Sequence, residues 1–364
     1  MRNRIEGEPV VSATQNPTEI RRQVDHALQT FLDTQRARLM GVSHELAPLA
    51  DELHAFVQGG KRLRPTFAYW GLRAANCTIS PEHIRAISAL EWLHACALIH
   101  DDVMDSSDTR RGRPSSHRIF ERRHNEANWR GDGAAFGRSS AILLGDLCLI
   151  WSDEALSNSG IAAENLTNAR PVFDEMRTEL MAGQYLDIVS DAVDGISAER
   201  AQTVLQYKSA KYTVEYPLLY GAALAGEPAN SPVMKTLSAY GLPLGEAFQL
   251  RDDVLGVFGD PAQTGKPAGD DLREGKRTLL IAHTFDRANP AEVTFMRENL
   301  GDPHLDARRK EQLRELIIET GALDEVERQI EKLSDQALTA LSALDGSLTG
   351  PLTALVNAAT RRTH

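Results

Sequence analysis

Apolar residues recur every three or four positions along most of the chain, which is the spacing of one face of an α-helix. The pattern begins in EIRRQVDHALQTFLDTQRARLM and continues over about 135–158, 162–190, 196–226 and 230–258, with shorter patterns over 278–345 and 350–362. No stretch alternates apolar and polar residues as a half-buried strand does, and no repeat of fixed period is found. The pattern therefore predicts a large all-α protein.

Start signals and connections divide this pattern into elements. The Ser-Pro-Glu sequence at 80–82 puts a capping side chain before a proline at the first helical position, which predicts a helix from there to about Asp105. The most glycine-rich and charged connections are 106–134 and 259–277, and each directly follows an acidic cluster. Loops beside clustered charge often carry function, so we expect the site there.

Composition narrows the class of protein. The 364 residues are 42% hydrophobic and 25% charged, a globular profile with enough length for a large core. The net charge of −11 and the lack of a long basic run argue against nucleic acid as a partner, so an anionic ligand needs local cations. No apolar run approaches a membrane span and the N-terminus lacks an apolar signal core, which predicts no transmembrane segment.

The cysteines indicate the cellular compartment, and the composition of the connecting segments indicates the number of domains. The three cysteines have neither the even number of a disulfide framework nor C-x-x-C spacing, so we predict a reducing, cytoplasmic location. No Pro/Ser-rich linker separates two halves of the chain. We therefore predict a disordered segment over 1–16 and a single domain over 17–364.

Two acidic clusters dominate the candidate chemistry. In LIHDDVMD, Asp101 and Asp105 are four residues apart on one helix face, and in FQLRDDVLGVFGD the side chains of Gln249, Asp252 and Asp253 share a face. Hard cations such as Mg²⁺ take oxygen ligands and are commonly shared between carboxylates and phosphates. The alternative for either cluster alone is a solvated helix end. Two clusters, both beside apolar residues, favour a metal site.

The chain also has two short clusters of cationic residues and several separate lysines whose groups suit diphosphate oxygens. They are Lys61, Arg62 and Arg64 in GGKRLRP, Arg110, Arg111 and Arg113 in DTRRGRPSSH, and the lysines Lys208, Lys211, Lys266 and Lys276. Each alone could be a surface charge, and KRLR is too short to indicate a nuclear signal. TGKP is not a phosphate-binding P-loop, because its spacing differs and Pro267 follows the lysine.

Taken in order, these motifs resemble those of the trans-isoprenyl diphosphate synthases, the polyprenyl synthetase family. The matching motifs, between Gly59 and Thr278, are GGKRLRP, LIHDDVMD, RRGRPSSH, GQYLD, KSA, FQLRDD and GKPAGDDLREGK. The resemblance implies an all-α isoprenoid synthase fold, a helical bundle around a central cavity, usually assembled as a homodimer. It also implies Mg²⁺-dependent head-to-tail joining of isopentenyl diphosphate to an allylic diphosphate, namely dimethylallyl, geranyl or farnesyl diphosphate.

The resemblance assigns roles to residues in three groups. Those that match isopentenyl diphosphate binding are Lys61, Arg64, His94 and Arg111. Those that match positions near the allylic diphosphate or its leaving group are Arg110, Lys208, Ser209, Gln249, Lys266 and Lys276. Those that match the acidic motifs are Asp101, Asp105 and Asp252 as Mg²⁺ ligands, with Asp102 and Asp253 beside them. Three Mg²⁺ ions are expected once substrate is bound.

The sequence departs from the family pattern in two places. Gly256 stands where the second motif, usually D-D-x-x-D, has its third aspartate, and Ser209 replaces the threonine of a Lys-Thr pair while keeping a hydroxyl. Because the first two aspartates remain, we expect activity to survive. On this basis Gly256→Asp should keep activity and lower the Mg²⁺ concentration needed for half-maximal rate.

Small residues below the first motif bear on product length. A bulky aromatic four or five positions before the motif is the family's floor for fifteen-carbon products, whereas this chain has Ala97 and Cys96 there, with Leu93 one turn lower. We therefore predict products of twenty carbons or more, with geranylgeranyl diphosphate favoured. The alternative is that small residues only let a neighbouring helix approach.

Two other functions are compatible with parts of the sequence. A terpene cyclase of the same fold also has an acidic metal motif, but its usual second motif is missing here and it has no use for the Lys61, Arg64 and His94 set. A non-catalytic partner subunit would fit the loss at Gly256 but not the intact first motif. Incubation with Mg²⁺, isopentenyl diphosphate and each allylic primer separates these possibilities.

Overall fold

The computed structural model describes residues 17–193, 195, 197–259 and 269–360. The disorder predicted for 1–16 lies outside the described residues. The first half of the chain forms α1 (Pro17–Val42), α2 (Ala47–Val57), α3 (Leu63–Ala74), α4 (Pro81–Met104), the strands β1 (Thr109–Arg110) and β2 (Arg113–Pro114), α5 (Ser116–Glu126), α6 (Gly133–Ser157) and α7 (Ala163–Ala192).

The second half is also helical. α8 (Ala198–Val204), a π-helix (Leu205–Glu215) and α9 (Tyr216–Leu224) follow one another without interruption. They are followed by α10 (Pro232–Phe258), α11 (Asp270–Glu274), α12 (Leu279–Arg287), α13 (Pro290–Asn299), α14 (Ala307–Glu319), α15 (Ala322–Ala340) and α16 (Gly346–Thr360). The all-α prediction is confirmed, since the only strands in the described residues are the two-residue pair β1 and β2, which pair antiparallel.

The predicted start of α4 is built as the sequence indicated. Ser80 is extended at the N-cap, its backbone N–H donates to His83 Nδ1 at 3.2 Å, and Pro81 occupies the first helical position. This reciprocal cap satisfies N–H groups that the first helical turn leaves without partners. α4 then runs through the middle of the bundle, packed against α1, α3 and α6. The first acidic cluster therefore lies at the C-terminal end of a largely buried helix.

Two apolar clusters make up the core of the described residues. One is formed mainly by α1, α3, α4, α6, α7, α9 and α16, and the other mainly by α8 and α11 to α15. α10 and the π-helix contribute to both, with Leu244 in the first and Leu250 in the second. This sharing supports one continuous domain, although the single domain over 17–364 stays a prediction.

The structure differs from the sequence interpretation in two places. The stretch 106–134, read as a connection, contains a hairpin with left-handed residues Arg111 and Gly112 at its turn, followed by the helix α5. The apolar face of α5 is narrow, and Phe120 is the large apolar residue buried on it. Because most of the α5 sequence is polar or charged, its helical periodicity was not recognised. The second difference is the π-helix within 196–226, which the apolar pattern predicts only as helix.

Helix α6 has a more apolar surface than the sequence analysis recognised. Its 25 residues include a window of mean hydropathy 1.3, of which 28% is buried, so by length and composition it could cross a membrane. It packs against α4 and α5, as a bundle helix does. Its outer face exposes the side chains of Ile142, Leu143 and Ile150.

Candidate active site

The first aspartate cluster (Asp101, Asp102 and Asp105) lies where α4 ends. Asp102 is 1% exposed, and its Oδ1 accepts from Arg110 at 2.7 Å from Nε and 2.6 Å from Nη2. Burial, followed by the nearby charge of Asp101, raises the pKa of Asp105 to about 6. Asp102 thus holds Arg110 in place. Asp101 and Asp105 form the pair that repels itself unless a cation is present.

Lys208, which belongs to the π-helix, is the cation next to this pair of aspartates. Its Nζ lies 3.2 Å from Asp101 Oδ1 and 2.5 Å from Asp187 Oδ2, and these charges raise its pKa against the effect of burial. A Cβ atom on Gly183 would lie 2.4 Å from the Lys208 backbone nitrogen, so only glycine lets α7 approach this closely. π-Helical turns are frequent at functional sites. Ser209, the next residue, is half-buried.

Helix α7 supplies residues that the sequence analysis missed. Gln184 donates from Nε2 to Asp101 Oδ1 at 3.2 Å, Asp187 pairs with Lys208, and the pKa of Asp191 is raised by burial and by Asp187. GQYLD was used to recognise the family, but none of its residues received a role. The sequence did contain a signal for them. Residue 187 follows residue 184 by three positions and residue 191 follows residue 187 by four, which puts all three on one helical face.

The second aspartate cluster (Asp252 and Asp253) lies near the end of α10. Gln249 Nε2 donates to Asp253 Oδ1 at 2.8 Å, as their spacing of four residues predicts. Asp253 is buried, and burial, with the charges of Asp271 and Asp252, raises its pKa to about 8. Asp252 is half-buried. Asp252 is therefore the more open of the two carboxylates, which agrees with its predicted role as the ligand.

Lys276 connects the two clusters electrostatically. Its Nζ lies 2.9 Å from Asp271 Oδ1, and its charge lowers the pKa of both Asp105 and Asp253. An interaction with both carboxyl groups requires the two clusters to lie near each other. The other late lysine, Lys266, falls outside the described residues.

The predicted isopentenyl diphosphate residues include a group of cations around His94. Arg64 stacks over Tyr212, 4.1 Å from the ring centroid, and donates to Thr213 Oγ1 at 2.9 Å. Burial and the charges of Arg64 and Arg111 lower the pKa of His94 well below its usual value, so the ring is neutral at pH 7. His94 Nδ1 is buried without a hydrogen-bond partner in the part of the chain that the structure describes.

Arg111 has the environment of an anion-binding guanidinium. Burial lowers its pKa, and the charges of Arg110, Arg62 and Arg64 lower it further. It lines a cavity of about 140 Å³ together with Arg110 and residues of α2. Clustered guanidinium groups repel one another, so an anion bound among them is strongly favoured. Lys61 is exposed beside this group.

Three of the cations proposed from the sequence are instead committed to ion pairs. Arg62 is 5% exposed and binds Glu91 Oε2 at 2.6 Å and Asp25 Oδ1 at 2.7 Å. Arg113 binds Glu52 Oε2 at 2.7 Å, which fixes the hairpin to α2. Lys211 binds Glu179 Oε2 at 2.6 Å. These pairings tie the three side chains to neighbouring parts of the scaffold.

The predicted chain-length residues lie on two sides of α4. Ala97 is half-buried one turn below Asp101, and Leu93, a further turn down, is fully buried. Cys96 is fully buried with its Sγ 3.7 Å from His100 Nδ1, and burial raises its pKa to about 12. His100 Nε2 in turn lies 3.0 Å from the Ile142 carbonyl oxygen of α6. Ala97 therefore shares the stripe of Asp101, whereas Cys96 faces the contact with α6.

Asp253→Asn should make the metal-free protein less sensitive to alkaline pH. Between the unfolded pKa of 3.8 and the folded value of about 8, the folded state holds a proton that the unfolded state has lost. The free energy of unfolding therefore falls by about 1.4 kcal/mol for each pH unit in this window. Urea unfolding with EDTA at pH 5 and pH 8 should show that the substitution removes much of this fall. An equal fall in both proteins contradicts the assignment.

The residues present fit Mg²⁺ held jointly with a substrate. Among the described residues no three carboxylate, imidazole or thiol groups form a ready-made metal cluster. Mg²⁺ needs none, because it commonly binds through one or two carboxylates, water and substrate phosphates. The fold and the site together indicate a class of protein whose carboxylates could hold cations and whose guanidinium groups suit diphosphate esters.

Comparisons with known proteins identify the family. The polyprenyl synthetase family model matches residues 47–317, and the chain belongs to this family. A geranylfarnesyl diphosphate synthase of Aeropyrum pernix is 29% identical over 88% of this chain and 92% of its own length. A geranylgeranyl diphosphate synthase of Saccharolobus solfataricus is 32% identical over 72% of this chain and 74% of its own length.

Solved structures agree with this assignment. A geranylgeranyl pyrophosphate synthase from Corynebacterium glutamicum, complexed with isoprenyl diphosphate and magnesium, is 41% identical and covers 95% of this chain and 98% of its own, with a TM-score of 0.88. The family match and these relatives confirm the all-α isoprenoid synthase fold and the prenyltransferase class that the motifs predicted.

Proposed function

We propose that the protein condenses isopentenyl diphosphate head to tail with an allylic diphosphate to give an all-trans polyprenyl diphosphate of twenty carbons or more, chiefly geranylgeranyl diphosphate. The observation that carries the proposal is the site itself. Lys208 joins Asp101 to Asp187, and the charge of Lys276 reaches both aspartate clusters. The names of the relatives in Aeropyrum pernix and Saccharolobus solfataricus support a product of this length.

Two subsites divide the substrates. Arg64, Arg111 and the neutral ring of His94 suit the diphosphate of isopentenyl diphosphate, since two are guanidinium groups and the third can donate a hydrogen bond. Lys61 lies exposed nearby. For the allylic diphosphate, we assign Arg110, Lys208, Ser209, Gln249, Lys276 and, from the sequence alone, Lys266.

The chemistry follows from this distribution of charge. The allylic C–O bond breaks and its electron pair leaves on the diphosphate, where Arg110, Lys208 and Lys276 stabilise the developing charge. The double bond of isopentenyl diphosphate supplies the electrons for the new C–C bond, and a proton is then lost. Within the part of the chain that the structure describes, no side chain is placed as an obvious base, so the released diphosphate is assigned to take this proton.

Asp101, Asp105 and Asp252 are assigned as the carboxylates that hold Mg²⁺, with three ions expected in the substrate complex. When bound, Mg²⁺ supplies Lewis-acid charge to the leaving diphosphate. The magnesium in the related Corynebacterium glutamicum complex supports the choice of metal. Asp102 and Asp253, both buried, are assigned to positioning Arg110 and Gln249.

One incubation tests the proposal. Purified protein is given Mg²⁺ and each allylic primer, with and without isopentenyl diphosphate, and dephosphorylated products are chromatographed. Chain elongation that requires isopentenyl diphosphate supports the synthase. A cyclic hydrocarbon formed from the primer alone indicates a terpene cyclase instead, and no product with any primer indicates a non-catalytic subunit.

Ala97→Phe should shorten the main product to about fifteen carbons. Ala97 lies on the same α4 stripe as Asp101 and is half-buried, so an aromatic ring there blocks a chain that grows down from the metal site. Chromatography of the dephosphorylated products measures the length. An active variant with unchanged product length contradicts this route for the chain.

Cys96→Phe, which the sequence treats as equivalent, provides the contrast. Because Cys96 is fully buried beside His100, added volume strains the contact between α4 and α6 and should cost about 1–3 kcal/mol of unfolding free energy. Urea unfolding of both variants separates loss of packing from a change in product length.

We further propose a homodimer formed through the outer faces of α6 and α7. α6 exposes Leu143 at 61% and Ile150 at 59%, and α7 exposes Tyr185 at 66%. Such apolar residues on adjacent helices suit a second copy of the same surface. Leu143→Glu should shift the protein from dimer to monomer in light scattering, whereas Ile318→Glu on α14 should not. A monomeric wild type contradicts the proposal.

The cytoplasm is our proposed compartment. All three cysteines are free, with Cys96 and Cys148 buried. Free buried thiols are typical of proteins kept under reducing conditions.

A further inference from the structure

The winding of the π-helix (Leu205–Glu215) places two residues of the candidate site on one face. A π-helix is held by hydrogen bonds between residues five apart, so residues five apart lie one above the other. Lys208 and Thr213 have this spacing. In an α-helix they would lie about 140° apart around the axis, because each residue turns the chain by about 100°. The wider winding therefore presents both side chains to the same side.

These two side chains contact different parts of the site. Lys208 Nζ lies 3.2 Å from Asp101 Oδ1, at the first aspartate cluster. Thr213 is 6% exposed, and its Oγ1 accepts a hydrogen bond from Arg64 Nη2 at 2.9 Å. The guanidinium of Arg64 also lies over the ring of Tyr212, 4.1 Å from the centroid. One π-helix thus contacts a residue assigned to each of the two diphosphates.

Arg64 is fixed at one end and keeps a donor at the other. Thr213 accepts from Nη2, whereas Nε is buried and has no hydrogen-bond partner among the described residues. A buried N–H group without an acceptor is costly, so a bound anion that accepts from it is favoured. The hydroxyl of Thr213 and the ring of Tyr212 therefore orient a guanidinium that still has hydrogen-bonding capacity for a ligand.

Glycines on both flanking helices hold the π-helix in place. A Cβ atom on Gly183 of α7 would lie well inside contact distance of the Lys208 backbone nitrogen. A Cβ atom on Gly245 of α10 would overlap the Ala210 carbonyl oxygen in the same way. Because these glycines have no side chains, α7 and α10 pack directly against the backbone of the π-helix. Contact from two sides fixes its position and its winding.

We propose that Thr213 is a positioning residue for isopentenyl diphosphate, acting through Arg64, and that the π-helical winding sets the spacing of the two diphosphate subsites. Thr213 and Tyr212 hold the guanidinium of Arg64 in its binding orientation before the substrate arrives. Lys208, five residues earlier, is held by the same backbone. This role rests on the proposed function, which assigns Arg64 and Lys208 to the two diphosphates.

Thr213→Val tests the role of the hydroxyl, because valine keeps the shape of the side chain. The KM for isopentenyl diphosphate should rise about tenfold, as expected when a charged donor loses its acceptor, while kcat and the KM for the allylic diphosphate stay within about twofold. Thr213→Ser restores the acceptor and should return this KM to within about twofold of wild type. A normal KM for isopentenyl diphosphate in Thr213→Val overturns the role of Thr213.

Thr284→Val is the matched control for loss of a buried hydroxyl. Thr284 is fully buried in α12, and its hydroxyl donates to the Leu280 carbonyl oxygen at 2.8 Å. This substitution should lower Tm without changing the KM for either substrate. A change in the KM for isopentenyl diphosphate equal to that of Thr213→Val would show that general loss of stability, and not the position of Arg64, is responsible.

Gly245→Ala tests the winding. The added methyl group must displace Ala210, and with it both Lys208 and Thr213, so the KM values for both substrates should rise several-fold. Gly350→Ala is the control, since a Cβ atom at this exposed position of α16 meets no atom within 4 Å. Circular dichroism and Tm establish that each variant is folded. Unchanged KM values for both substrates in folded Gly245→Ala overturn the role of the winding.

Calorimetric binding of isopentenyl diphosphate separates this role from the proposed function. If the wild type binds isopentenyl diphosphate but forms no prenyl product, the proposed function is wrong, and binding weakened about tenfold in Thr213→Val still supports the role of Thr213. If the wild type condenses its substrates and Thr213→Val binds isopentenyl diphosphate normally, only the role of Thr213 is wrong. A wild type that does not bind isopentenyl diphosphate overturns both.

Discussion

Asp101→Asn should lower the rate of condensation by about a thousandfold while leaving the helical fold intact. The substitution removes the negative charge that a metal needs but keeps the shape of the side chain. Metal stabilisation of a leaving group is worth several kcal/mol, and each 1.4 kcal/mol is a factor of about ten in rate. Asp101 also accepts from Gln184 and Lys208, so both partners lose an anionic acceptor.

Turnover and circular dichroism of Asp101→Asn should be measured on the same preparation, with Mg²⁺ varied. Asp335→Asn, at an exposed position of α15, is the matched control and should retain full activity. Turnover of Asp101→Asn within tenfold of wild type at any Mg²⁺ concentration removes the metal assignment.

Arg62→Met should destabilise the folded protein by about 3–5 kcal/mol. Arg62 and Glu91 are 5% and 6% exposed, and their side chains lie 2.6 Å apart. Removing one member of a buried ion pair leaves the other charge buried without compensation, at a cost of this size. Arg62 also binds Asp25 and the Val57 carbonyl oxygen, so the loss extends to α1 and α2.

Lys61→Met is the control for Arg62→Met, because Lys61 precedes it in the same motif but is exposed. It should change the free energy of unfolding by less than about 0.5 kcal/mol. Urea unfolding at one pH and one salt concentration compares the two variants. Equal stability of both would show that Arg62 is not the buried anchor of this turn.

Sequence reasoning succeeded in predicting which residues are neighbours within one helix. Asp101 and Asp105 are one turn apart, and Gln249 and Asp253 are hydrogen-bonded over the predicted four residues. Helical periodicity fixes such neighbours without knowledge of the rest of the fold.

The local pattern alone could not tell which arginines are paired inside the fold. Arg62 and Arg64 are two residues apart in one motif, yet Arg62 is committed to Glu91 and Asp25, whereas Arg64 reaches Tyr212 and Thr213. These partners are distant in sequence. Local pattern therefore identifies the charge but not its partner, and only the packing of α1, α3, α4 and the π-helix decides it.

The π-helix and Gly256 were hidden for a related reason. Apolar spacing predicts a helix over 205–215, but not the wider turn that presents Lys208 to Asp101. Gly256 was interpreted as a loss because its neighbour, Asp271, is supplied by another helix. Asp271 is part of the quoted motif GKPAGDDLREGK, but nothing in the sequence places it beside Gly256.

Helix α10 carries the second aspartate cluster and also belongs to both apolar clusters of the core. The helix that bears part of the site therefore also couples the folding of the two clusters. Its first half packs in one cluster, its second half in the other, and the second aspartate cluster lies in that second half. Neither cluster can open without exposing one end of the same helix. Denaturation is therefore expected to be concerted, with little population of half-folded chains that keep one intact substrate pocket.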